Sequence, residues 1–245
     1  MKGVVLAGGL ATRLRPLTLV TNKHLLPIYN KPMIFYSLEA MQKAGITEVL
    51  LVTGASHAGA FLNLLKSGDA FGMRLSYEIQ QEAGGIAQGI SLAESFADEQ
   101  NLLVLLGDNI FFHDLTKSIA EFEKKGKGAK ILAMEMPTDS KQYGVVEVDK
   151  EGKVLSIEEK PQNPKSNLAQ TGIYMYDKRV FDFIRKLKPS ARGELEVTDL
   201  NNLYVEEGSM YCEMIDWWVD AGTSFDELLR ANNLVAQKVK NGELS

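Results

Sequence analysis

The chain has 245 residues, 45% of them hydrophobic, which is enough for a sizeable buried core in one large or two small domains. Its 27 basic and 32 acidic residues give a net charge of −5, which argues against a broad nucleic-acid-binding surface. No apolar run approaches the roughly 20 residues of a membrane span, and the first apolar run is too short for a secretory signal. The single cysteine excludes an internal disulfide. These features predict a cytoplasmic protein that binds neither nucleic acid nor membrane.

The first predicted strand, Val4 to Ala7, ends in the glycine pair Gly8 and Gly9. Glycine lets the backbone turn sharply and come close to a ligand, and the arginines that follow, Arg13 and Arg15, can fork onto phosphate oxygens. The pattern matches neither G-x-G-x-x-G nor the Walker A loop. It therefore indicates a phosphate-binding turn of another type, and an ordinary strand-to-helix turn remains the alternative.

The charge distribution favours the phosphate-binding interpretation. Residues 1–38 hold five basic side chains and no acidic one, so this segment carries +5 on an acidic protein. Such asymmetry predicts a local anion site. Arg13 and Lys23 are its best candidates, because chance clustering of solvated lysines is a fair account of Lys2 and Lys31.

Apolar strands alternate with helical stretches along the first half of the chain. The predicted strands are Val4 to Ala7, Glu48 to Thr53, Leu75 to Ile79, Leu102 to Leu106 and Lys130 to Met134. The predicted helices are 33–44, 56–66, 86–97 and 115–125. This alternation predicts an α/β fold with a mostly parallel sheet covered on both faces. Ligands on such sheets bind beyond the carboxyl ends of the strands.

The pattern changes after about residue 140, where alternating strands replace the continuous apolar runs. We expect a β-hairpin with strands 144–148 and 154–158, because a glycine-containing turn separates them. A strand near 171–176, helices near 178–187 and 197–207, and a docked terminal helix over 225–240 are expected to follow. We expect this second half to pack onto the same sheet as part of a single domain.

Two aspartates follow apolar runs at places where a ligand-binding edge is expected. Asp108 comes directly after the strand 102–106, and Asp220 ends the run Trp217-Trp218-Val219. Carboxylates at such an edge can hold Mg²⁺, a hard cation with oxygen ligands, against substrate phosphates. Helix or turn caps are the alternative for both, and they are favoured for Asp220 on its own stretch alone.

Two further places carry polar groups suited to a sugar nucleotide. Glu159 and Lys160 end a predicted strand, where a carboxylate can accept hydroxyl protons and an ammonium can meet a phosphate; alternation places them on opposite faces. Gln80 ends another strand before a Gly84-Gly85 turn, and an amide that donates and accepts matches the imide edge of thymine or uracil. A solvated strand end and a surface glutamine are the alternatives.

The sequence resembles the sugar nucleotidyltransferases, most closely the glucose-1-phosphate thymidylyltransferases. The matching stretches run in family order along nearly the whole chain: GVVLAGGLATRLRPLT, NKHLLPIYNKPMI, YEIQQEAGGIAQ, LLGDNIF, YGVVEVD, IEEKPQNPKSN, QTGIYMYD, LKPSARGELEVTDLNN and WWVDAGT. The resemblance implies a Rossmann-like, three-layer nucleotidyltransferase core with a mostly parallel sheet and an inserted β-rich sugar-binding portion. The nucleotide part would span about 1–135, the sugar-phosphate part about 136–222 and the terminal helix about 224–240.

The resemblance also implies the reaction and the roles of individual residues. The reaction is Mg²⁺-dependent transfer of a thymidylyl group from dTTP to α-D-glucose 1-phosphate, which gives dTDP-glucose and pyrophosphate, the first step of dTDP-sugar biosynthesis. Catalytic roles fall on Arg13, Lys23 and Lys160. The implied nucleotide-binding residues are Leu6, Gly8, Gly9, Arg13, Lys23, Gln80, Gly85 and Asp108. The implied sugar-phosphate-binding residues are Asn109, Gly144, Glu159, Lys160, Gln170 and Thr171. The implied Mg²⁺ ligands are Asp108 and Asp220.

Two alternatives to this reaction stay open from the sequence. A sister enzyme would use UTP or another sugar 1-phosphate, since uracil lacks only one methyl contact, worth about 1 kcal/mol. The second alternative is a non-catalytic subunit that binds nucleotide sugars, although all the charged residues that the chemistry needs are present. The family further implies a homo-oligomer, a dimer or a tetramer.

Overall fold

The computed structural model describes residues 1–136 and 140–244. Residues 137–139, which belong to the predicted sugar-phosphate part, and Ser245 lie outside the described residues. The strands are β1 Lys2–Ala7, β2 Pro27–Ile28, β3 Lys31–Pro32, β4 Glu48–Gly54, β5 Arg74–Gln80, β6 Leu102–Leu106, β7 Asn109–Phe111, β8 Ala129–Glu135, β9 Gly144–Val148, β10 Val154–Glu159, β11 Leu168–Tyr176, β12 Met210–Met214 and β13 Trp218–Asp220.

Helices connect most of these strands. The α-helices are α1 Met33–Lys43, α2 Ala58–Leu65, α3 Ile86–Ser91, α4 Glu94–Ala97, α5 Leu115–Lys125, α6 Val180–Ile184, α7 Val197–Glu206 and α8 Phe225–Lys240. Short 3₁₀ helices occur at Thr12–Leu14, Leu17–Leu19, Lys23–Leu25, Ala55–His57 and Asp69–Phe71. Within the described part of the chain, we find no helix whose length and apolar character would let it cross a membrane.

One central sheet, nine-stranded within the described residues, runs through both halves of the chain. Its order is β10-β9-β11-β6-β1-β4-β5, and β8 and β12 extend it from β11. The pairs β6–β1, β1–β4, β4–β5 and β8–β12 are parallel, and β11 is antiparallel to β6, β8 and β9. Only β10 and β11 therefore oppose the common direction among the described strands, which confirms the predicted mostly parallel sheet.

Two apolar layers cover the faces of this sheet. In β1 the side chains alternate, so that Val5 and Ala7 join the core with α1, α2 and α5, whereas Val4 and Leu6 join the core with α3, α4, α6 and α7. Each buried valine or leucine stabilises the fold by about 2 kcal/mol relative to leaving it exposed. The prediction of three layers is confirmed.

Strand β11 carries the second half of the chain beyond the carboxyl edge of the sheet. Ile173 of β11 pairs with Leu105 near the end of β6. The earlier residues of β11 overshoot that end, and Ala169 pairs with Val145 of β9. The predicted hairpin, β9 and β10, is therefore attached at the edge where ligands of parallel sheets bind.

A small antiparallel ladder and the terminal helix complete this edge. Strand β13 pairs with β7, which sets Asp220 opposite Asn109. Ser224 caps helix α8, because its side chain accepts a hydrogen bond of 3.1 Å from the Glu227 amide, and the helix buries Val235 in a third apolar cluster. The predicted terminal helix over 225–240 is confirmed, whereas the pairing of β7 with β13 was not predicted.

Some element boundaries differ from the predictions. The expected helix 86–97 is two segments, because the Ala93 amide bonds the Ile90 carbonyl at 2.9 Å in a tightened turn between α3 and α4. The expected helix 178–187 is regular only over Val180–Ile184, and its continuation consists of short i→i−3 turns. Cys212 lies in β12, as predicted for a packed strand residue.

Candidate functional site

A cavity of about 300 Å³ opens at the carboxyl ends of β1, β5 and β6. Its lining includes most of the nucleotide-binding residues that the sequence indicated: Leu6, Gly8, Gly9, Lys23, Gln80, Gly85 and Asp108, together with Asp220. Six residues that the sequence did not indicate also line it: His24, Ala83, Ile86, Gly89, Leu106 and Glu194. Turns that are far apart in the sequence therefore converge on one pocket.

The glycine turn after β1 forms one wall, where Gly8 has no room for a side chain and Gly9 adopts a positive φ. A Cβ atom at Gly8 would lie 2.6 Å from the Gln80 Oε1 atom, and Gly9 has φ of +90°, a conformation that favours glycine. The Asn22 side chain holds the turn by donating to the Ala7 carbonyl at 3.4 Å. The backbone at Gly8 and Gly9 is thus open to close approach by a ligand.

The Gln80 carboxamide is oriented by its neighbours. Its Nε2 group donates to the Gly85 carbonyl at 3.1 Å and to the Gln88 side chain, so both amide protons are used inside the protein. Gly85 in turn has φ of +96°, and a Cβ atom there would collide with the Leu195 carbonyl. The carbonyl oxygen of Gln80, which faces Gly8, is left as an acceptor at the cavity wall.

Asp108, Lys23 and Asp220 form the charged floor of the cavity. The Lys23 ammonium pairs with the Asp108 Oδ2 atom, and the Ala221 amide bonds the Asp108 carbonyl at 3.0 Å. A Cβ atom at Gly222 would collide with the Asp108 carboxylate and lie 2.8 Å from the Lys23 Nζ atom. Gly222 therefore permits the turns that carry Asp108 and Asp220 to meet.

The charges on this floor are strongly coupled. Burial opposes the ammonium of Lys23, but the Asp108 and Asp220 carboxylates outweigh it and raise the pKa of Lys23. Burial likewise opposes the charge of Asp108, yet Lys23 holds the pKa of Asp108 below its ordinary value. Burial and the charge of Asp108 raise the pKa of Asp220. One carboxylate is thus neutralised by the lysine, and the other lacks full compensation.

His24 lies against the same floor without adding a charge. Burial and the neighbouring Lys23 ammonium lower the pKa of His24 to about 3, so its ring is neutral at physiological pH. The ring Nδ1 atom lies 2.6 Å from the Asn22 side-chain oxygen. His24 therefore fills space under the cavity and fixes the loop that carries Lys23.

The two aspartates are the residues that fit a divalent cation. No cluster of three or more histidine, cysteine or acidic side chains suited to a metal occurs within residues 1–136 and 140–244. Asp108 supplies a buried carboxylate and Asp220 a half-buried one, and a cation would relieve their mutual repulsion. Mg²⁺ commonly takes one or two carboxylates and completes its shell with water and phosphate oxygens. This donor set suits a cation that arrives with a phosphate ligand.

The residues expected to hold the sugar phosphate form a second cluster outside the cavity lining. Gly144 and Glu159 pair across the hairpin, and the Thr198 hydroxyl donates to the Glu159 Oε2 atom at 2.8 Å. Strand alternation predicted that Glu159 and Lys160 lie on opposite faces. The structure contradicts this prediction. The φ of +46° at Lys160 ends the strand, and the Lys160 Nζ atom returns to within 3.0 Å of Glu159 Oε1.

Gln170 and Thr171 lie in β11 behind this pair. The Gln170 Oε1 atom accepts from Asn201 at 2.7 Å, and a Cβ atom at Gly144 would lie 3.1 Å from the Gln170 Nε2 atom. The Thr171 hydroxyl donates to the Leu132 carbonyl at 2.7 Å, so its side chain points into the core. The register between β11 and β8 shifts between Gln170 and Tyr174, which interrupts the regular backbone ladder here.

Asn109 joins the two clusters from a buried position. Its Nδ2 group donates to Asp108 Oδ1 at 2.9 Å, and its Oδ1 atom accepts from the Gly172 amide at 3.0 Å and from the Trp218 indole. Only 1% of Asn109 is exposed. The side chain predicted to bind the sugar phosphate is thus occupied in positioning Asp108 and β11.

The carboxylates of Glu159, Asp108 and Asp220 all influence the ionisation of one group, the Tyr174 hydroxyl. Burial, followed by the charges of Glu159, Asp108 and Asp220, raises the pKa of Tyr174, which is buried in β11. The charged floor and the Glu159–Lys160 cluster therefore share one electrostatic neighbour, the Tyr174 hydroxyl in β11.

The structure separates the two arginines of the glycine-turn motif. Arg13 lies in an exposed 3₁₀ helix and does not line the cavity, whereas Arg15 lines an adjacent groove. Both arginines were candidates for phosphate binding from their spacing, and the family resemblance assigned a role to Arg13 only. Glu194 and Thr198 were also missed, although both lie in the recognised stretch KPSARGELEVTD.

Comparison with known proteins places this geometry in a family. The chain matches the nucleotidyl transferase family model over residues 2–238. It is 43% identical over 98% of its length to a glucose-1-phosphate thymidylyltransferase of Neisseria gonorrhoeae, 84% of which is covered, and 44% identical over 96% of its length to that of Mycolicibacterium smegmatis, 82% of which is covered.

Solved structures agree with this match. A Bacillus anthracis protein assigned as a glucose-1-phosphate thymidylyltransferase and solved with sucrose superposes with a TM-score of 0.91 at 45% identity, covering 96% of this chain and 94% of that one. A UDP-glucose pyrophosphorylase solved with UDP-glucose superposes with a TM-score of 0.85 at 25% identity, covering 97% and 98%. The chain belongs to the nucleotidyl transferase family.

Proposed function

We propose that the protein is a glucose-1-phosphate thymidylyltransferase, which transfers a thymidylyl group from dTTP to α-D-glucose 1-phosphate and releases pyrophosphate. The observation that carries the proposal is the Asp108–Lys23–Asp220 floor, which lies between a cavity for a nucleotide and a cluster for a sugar phosphate. The relatives at 43% and 44% identity bear the name of this activity.

The nucleotide would lie in the cavity, with its base at Gln80 and Gly85. Because both amide protons of Gln80 are held by Gly85 and Gln88, Gln80 offers an acceptor to the base. The N3–H group of thymine or uracil donates a hydrogen bond, whereas N3 of cytosine accepts one. The site would therefore favour dTTP or UTP over CTP. Leu6 adds apolar surface beneath the base.

The triphosphate would cross the glycine turn toward the charged floor. The backbone at Gly8 and Gly9, with Arg13 and Lys23, would bind its oxygens, because a basic segment free of acidic residues surrounds them. Asp108 and Asp220 would hold Mg²⁺. When bound, this cation neutralises charge on the phosphates and orients them, which is the usual contribution of Mg²⁺ to phosphoryl and nucleotidyl transfer.

The glucose 1-phosphate would lie at the hairpin. Glu159 would accept hydrogen bonds from sugar hydroxyls, and the Lys160 ammonium, which pairs with Glu159 in this structure, would bind the phosphate group. Gly144, Gln170 and Thr171 would shape the sugar pocket, since a Cβ atom at Gly144 would press on the Gln170 amide. Asn109 would contribute indirectly, because its side-chain amide donates to the Asp108 carboxylate and holds it in place.

The reaction needs no general base, because the phosphate of glucose 1-phosphate is already ionised. One of its oxygens would attack the α-phosphorus of dTTP while the bond to the bridging oxygen breaks, and pyrophosphate would leave with the electron pair. Lys160 and Lys23 would offset the repulsion between the two anions. Positioning and charge neutralisation supply most of the catalysis in reactions of this kind.

The test is a pyrophosphate-release assay over a grid of substrates. Five nucleoside triphosphates (dTTP, UTP, CTP, GTP and ATP) are combined with the 1-phosphates of glucose, galactose, mannose and N-acetylglucosamine, with Mg²⁺ present. We expect the maximum at dTTP with glucose 1-phosphate and loss of the signal in EDTA. A maximum at UTP would instead assign the activity of the UDP-glucose pyrophosphorylase relative.

Absence of release in every combination, with nucleotide sugars still binding, would favour a non-catalytic subunit. We further propose that the chain forms a homo-oligomer, a dimer or a tetramer, which light scattering in solution would measure. A monomer at enzyme concentrations that support full activity would contradict this.

A further inference from the structure

An ion pair on the terminal helix lies next to the strand that carries Asp220. It joins Glu227 and Arg230, one turn apart on α8, and the Arg230 Nε atom lies 3.1 Å from the Glu227 Oε2 atom. Both atoms are buried, so water and salt screen the pair little. The described lining of the nucleotide cavity includes neither residue, and neither has a role in the proposed reaction.

The guanidinium group of Arg230 also reaches β13. Its Nη2 atom donates to the carbonyl of the buried residue Trp218 at 3.3 Å. Apolar packing holds the same two elements together, because Ala231 of α8 and Val219 of β13 belong to one buried cluster. Apolar packing alone has little directionality, whereas a hydrogen bond fixes the position of the carbonyl that accepts it. Arg230 therefore adds a directional contact to this interface.

Asp220 stands between two attachments of its own strand. After Asp220, the Ala221 amide donates to the Asp108 carbonyl at 3.0 Å. Before Asp220, Arg230 holds the carbonyl of Trp218. A shift of the backbone at Trp218 would therefore move the Asp220 carboxylate relative to Asp108.

The electrostatics of a neighbouring tyrosine place the ion pair close to Asp220. Burial raises the pKa of Tyr143 to about 12; the charges of Asp220 and Glu227 add to this shift, and that of Arg230 opposes it. The Tyr143 ring packs edge-on against Trp218, with ring centroids 5.0 Å apart. Asp220 and the ion pair therefore act on one hydroxyl group beside β13.

A divalent cation makes strict demands on the spacing of its ligands. Mg²⁺ requires near-octahedral oxygen ligands at about 2 Å, so two carboxylates on separate turns must be held within a small tolerance. Lys23 and Asn109 both contact the Asp108 carboxylate and fix it. Asp220 depends instead on the placement of β13, a strand of 3 residues that pairs with β7.

We propose that Arg230 is a positioning residue, which fixes β13 through the Trp218 carbonyl and so holds Asp220 at the distance from Asp108 that a divalent cation requires. This inference rests on the proposed function, since it concerns the cation that the two aspartates would hold. Glu227 orients the guanidinium group through the ion pair. Arg230 would act through the backbone of β13 and would not touch the substrates.

The experiment titrates each protein with Mn²⁺ alone and follows the electron paramagnetic resonance signal of the free ion. Mn²⁺ prefers the same oxygen ligands as Mg²⁺. We expect Arg230→Met, which keeps the apolar stem, to bind Mn²⁺ about tenfold more weakly, at the low end of the effect of removing groups that orient metal ligands. Arg230→Lys, which keeps a donor, should retain most of the affinity. Asn232→Ala is the matched control, because it removes the acceptor of a 2.7 Å hydrogen bond between α8 and the Tyr29 amide and leaves β13 untouched.

A second variant separates loss of position from loss of stability. Arg230→Met leaves the Glu227 carboxylate without its partner, which lowers the melting temperature. The double variant Glu227→Gln/Arg230→Met removes both charges, so it should melt near the wild type and still show the tenfold loss of Mn²⁺ affinity. In the metal-free proteins, the amides of β13 should exchange with deuterium about tenfold faster in both variants, because one hydrogen bond that restrains the strand is lost.

The dependence of the forward reaction on Mg²⁺ gives a third readout. The Mg²⁺ concentration for half-maximal rate should rise about tenfold in the double variant, and kcat at saturating Mg²⁺ should stay within about twofold of the wild type. Wild-type Mn²⁺ affinity or wild-type exchange of β13 in both variants would overturn the inference, as would a wild type that binds no Mn²⁺. Mn²⁺ binding and exchange that change as expected, without turnover of any substrate pair, would count against the proposed reaction alone.

Discussion

The nucleotide side and the sugar side of this site are built in different ways. The nucleotide side is a preformed cavity, in which glycine turns after β1 and after β5 leave backbone and one oriented amide open to a ligand. On the sugar side the expected binding groups are already joined to each other: Glu159 contacts both Thr198 and Lys160. The nucleotide side is thus an open cavity, whereas the polar groups of the sugar side are bonded to each other.

This difference suggests a division of labour. A preformed cavity would bind a nucleotide with little reorganisation, whereas a sugar phosphate bound as proposed would replace the Glu159–Lys160 pair with its own hydroxyl and phosphate groups. Under the proposed function, the sugar side would therefore respond to the incoming substrate, which would separate the Lys160 ammonium from Glu159. The two sides meet at Asp108, which Asn109 ties to β11.

The largest effects are expected where the two sides meet. Asp220→Asn should lower kcat about thousandfold, because one of two carboxylates for the cation is lost. Its melting temperature should not fall, since the substitution removes repulsion from Asp108. Asp108→Asn should lower kcat similarly but also lower the melting temperature, because buried Lys23 loses its partner. Pyrophosphate release and calorimetry measure both.

Asp226→Asn, at the exposed start of α8, is the control for this pair of variants. Near-normal turnover in both Asp108→Asn and Asp220→Asn would contradict the role of the charged floor. If Asp108→Asn and Asp220→Asn change the melting temperature equally, Lys23 does not neutralise Asp108 in preference to Asp220.

The next largest effect tests the sugar side alone. Lys160→Ala should raise the KM for glucose 1-phosphate about thirtyfold, because an ammonium–phosphate contact is lost, and should leave the KM for dTTP nearly unchanged. Steady-state kinetics with each substrate varied in turn measure the split. Lys150→Ala, in the turn of the same hairpin, is the matched control. A parallel rise in both KM values would mean that the two sides are not separate.

A smaller effect tests the orientation of the base-reading amide. Gln88→Leu should reduce discrimination between dTTP and CTP about tenfold, because Gln80 then regains a free N–H donor and can rotate. The ratio of kcat/KM values for the two nucleotides measures it, with Gln100→Leu as an exposed control. Unchanged discrimination would show that Gln88 does not fix the amide.

The smallest effect concerns the support of Glu159. Thr198→Val keeps the side-chain shape and removes one hydrogen bond of 2.8 Å, so the KM for glucose 1-phosphate should rise about fivefold. Steady-state kinetics at saturating dTTP measure the change. A loss comparable to that of Lys160→Ala would mean that Thr198 touches the substrate directly.

Much of the fold was predictable because its signals are local. Continuous apolar runs marked the parallel strands, and helical spacing marked α8 from its first to its last residue. The broken helix after Gly85 was not predictable, since its turn around Ala93 depends on hydrogen bonds that spacing does not encode. The rule that ligands bind beyond the carboxyl ends of parallel strands indicated the glycine turn and Asp108. The charge distribution added Lys23, and the family resemblance supplied the roles of Leu6 and Gly85.

The sequence by itself determined where the chain turns and which chemistry each turn carries: glycines after β1 and β5, an aspartate after β6 and another at the end of β13, and a charged pair at the end of β10. Only the tertiary structure decided which turns meet. It placed Asp220 beside Asp108 through the β7–β13 ladder, directed Lys160 back onto Glu159, and brought Arg15 rather than Arg13 to the groove. Strand pairing and backbone handedness set these outcomes across long sequence separations, where periodicity carries no information.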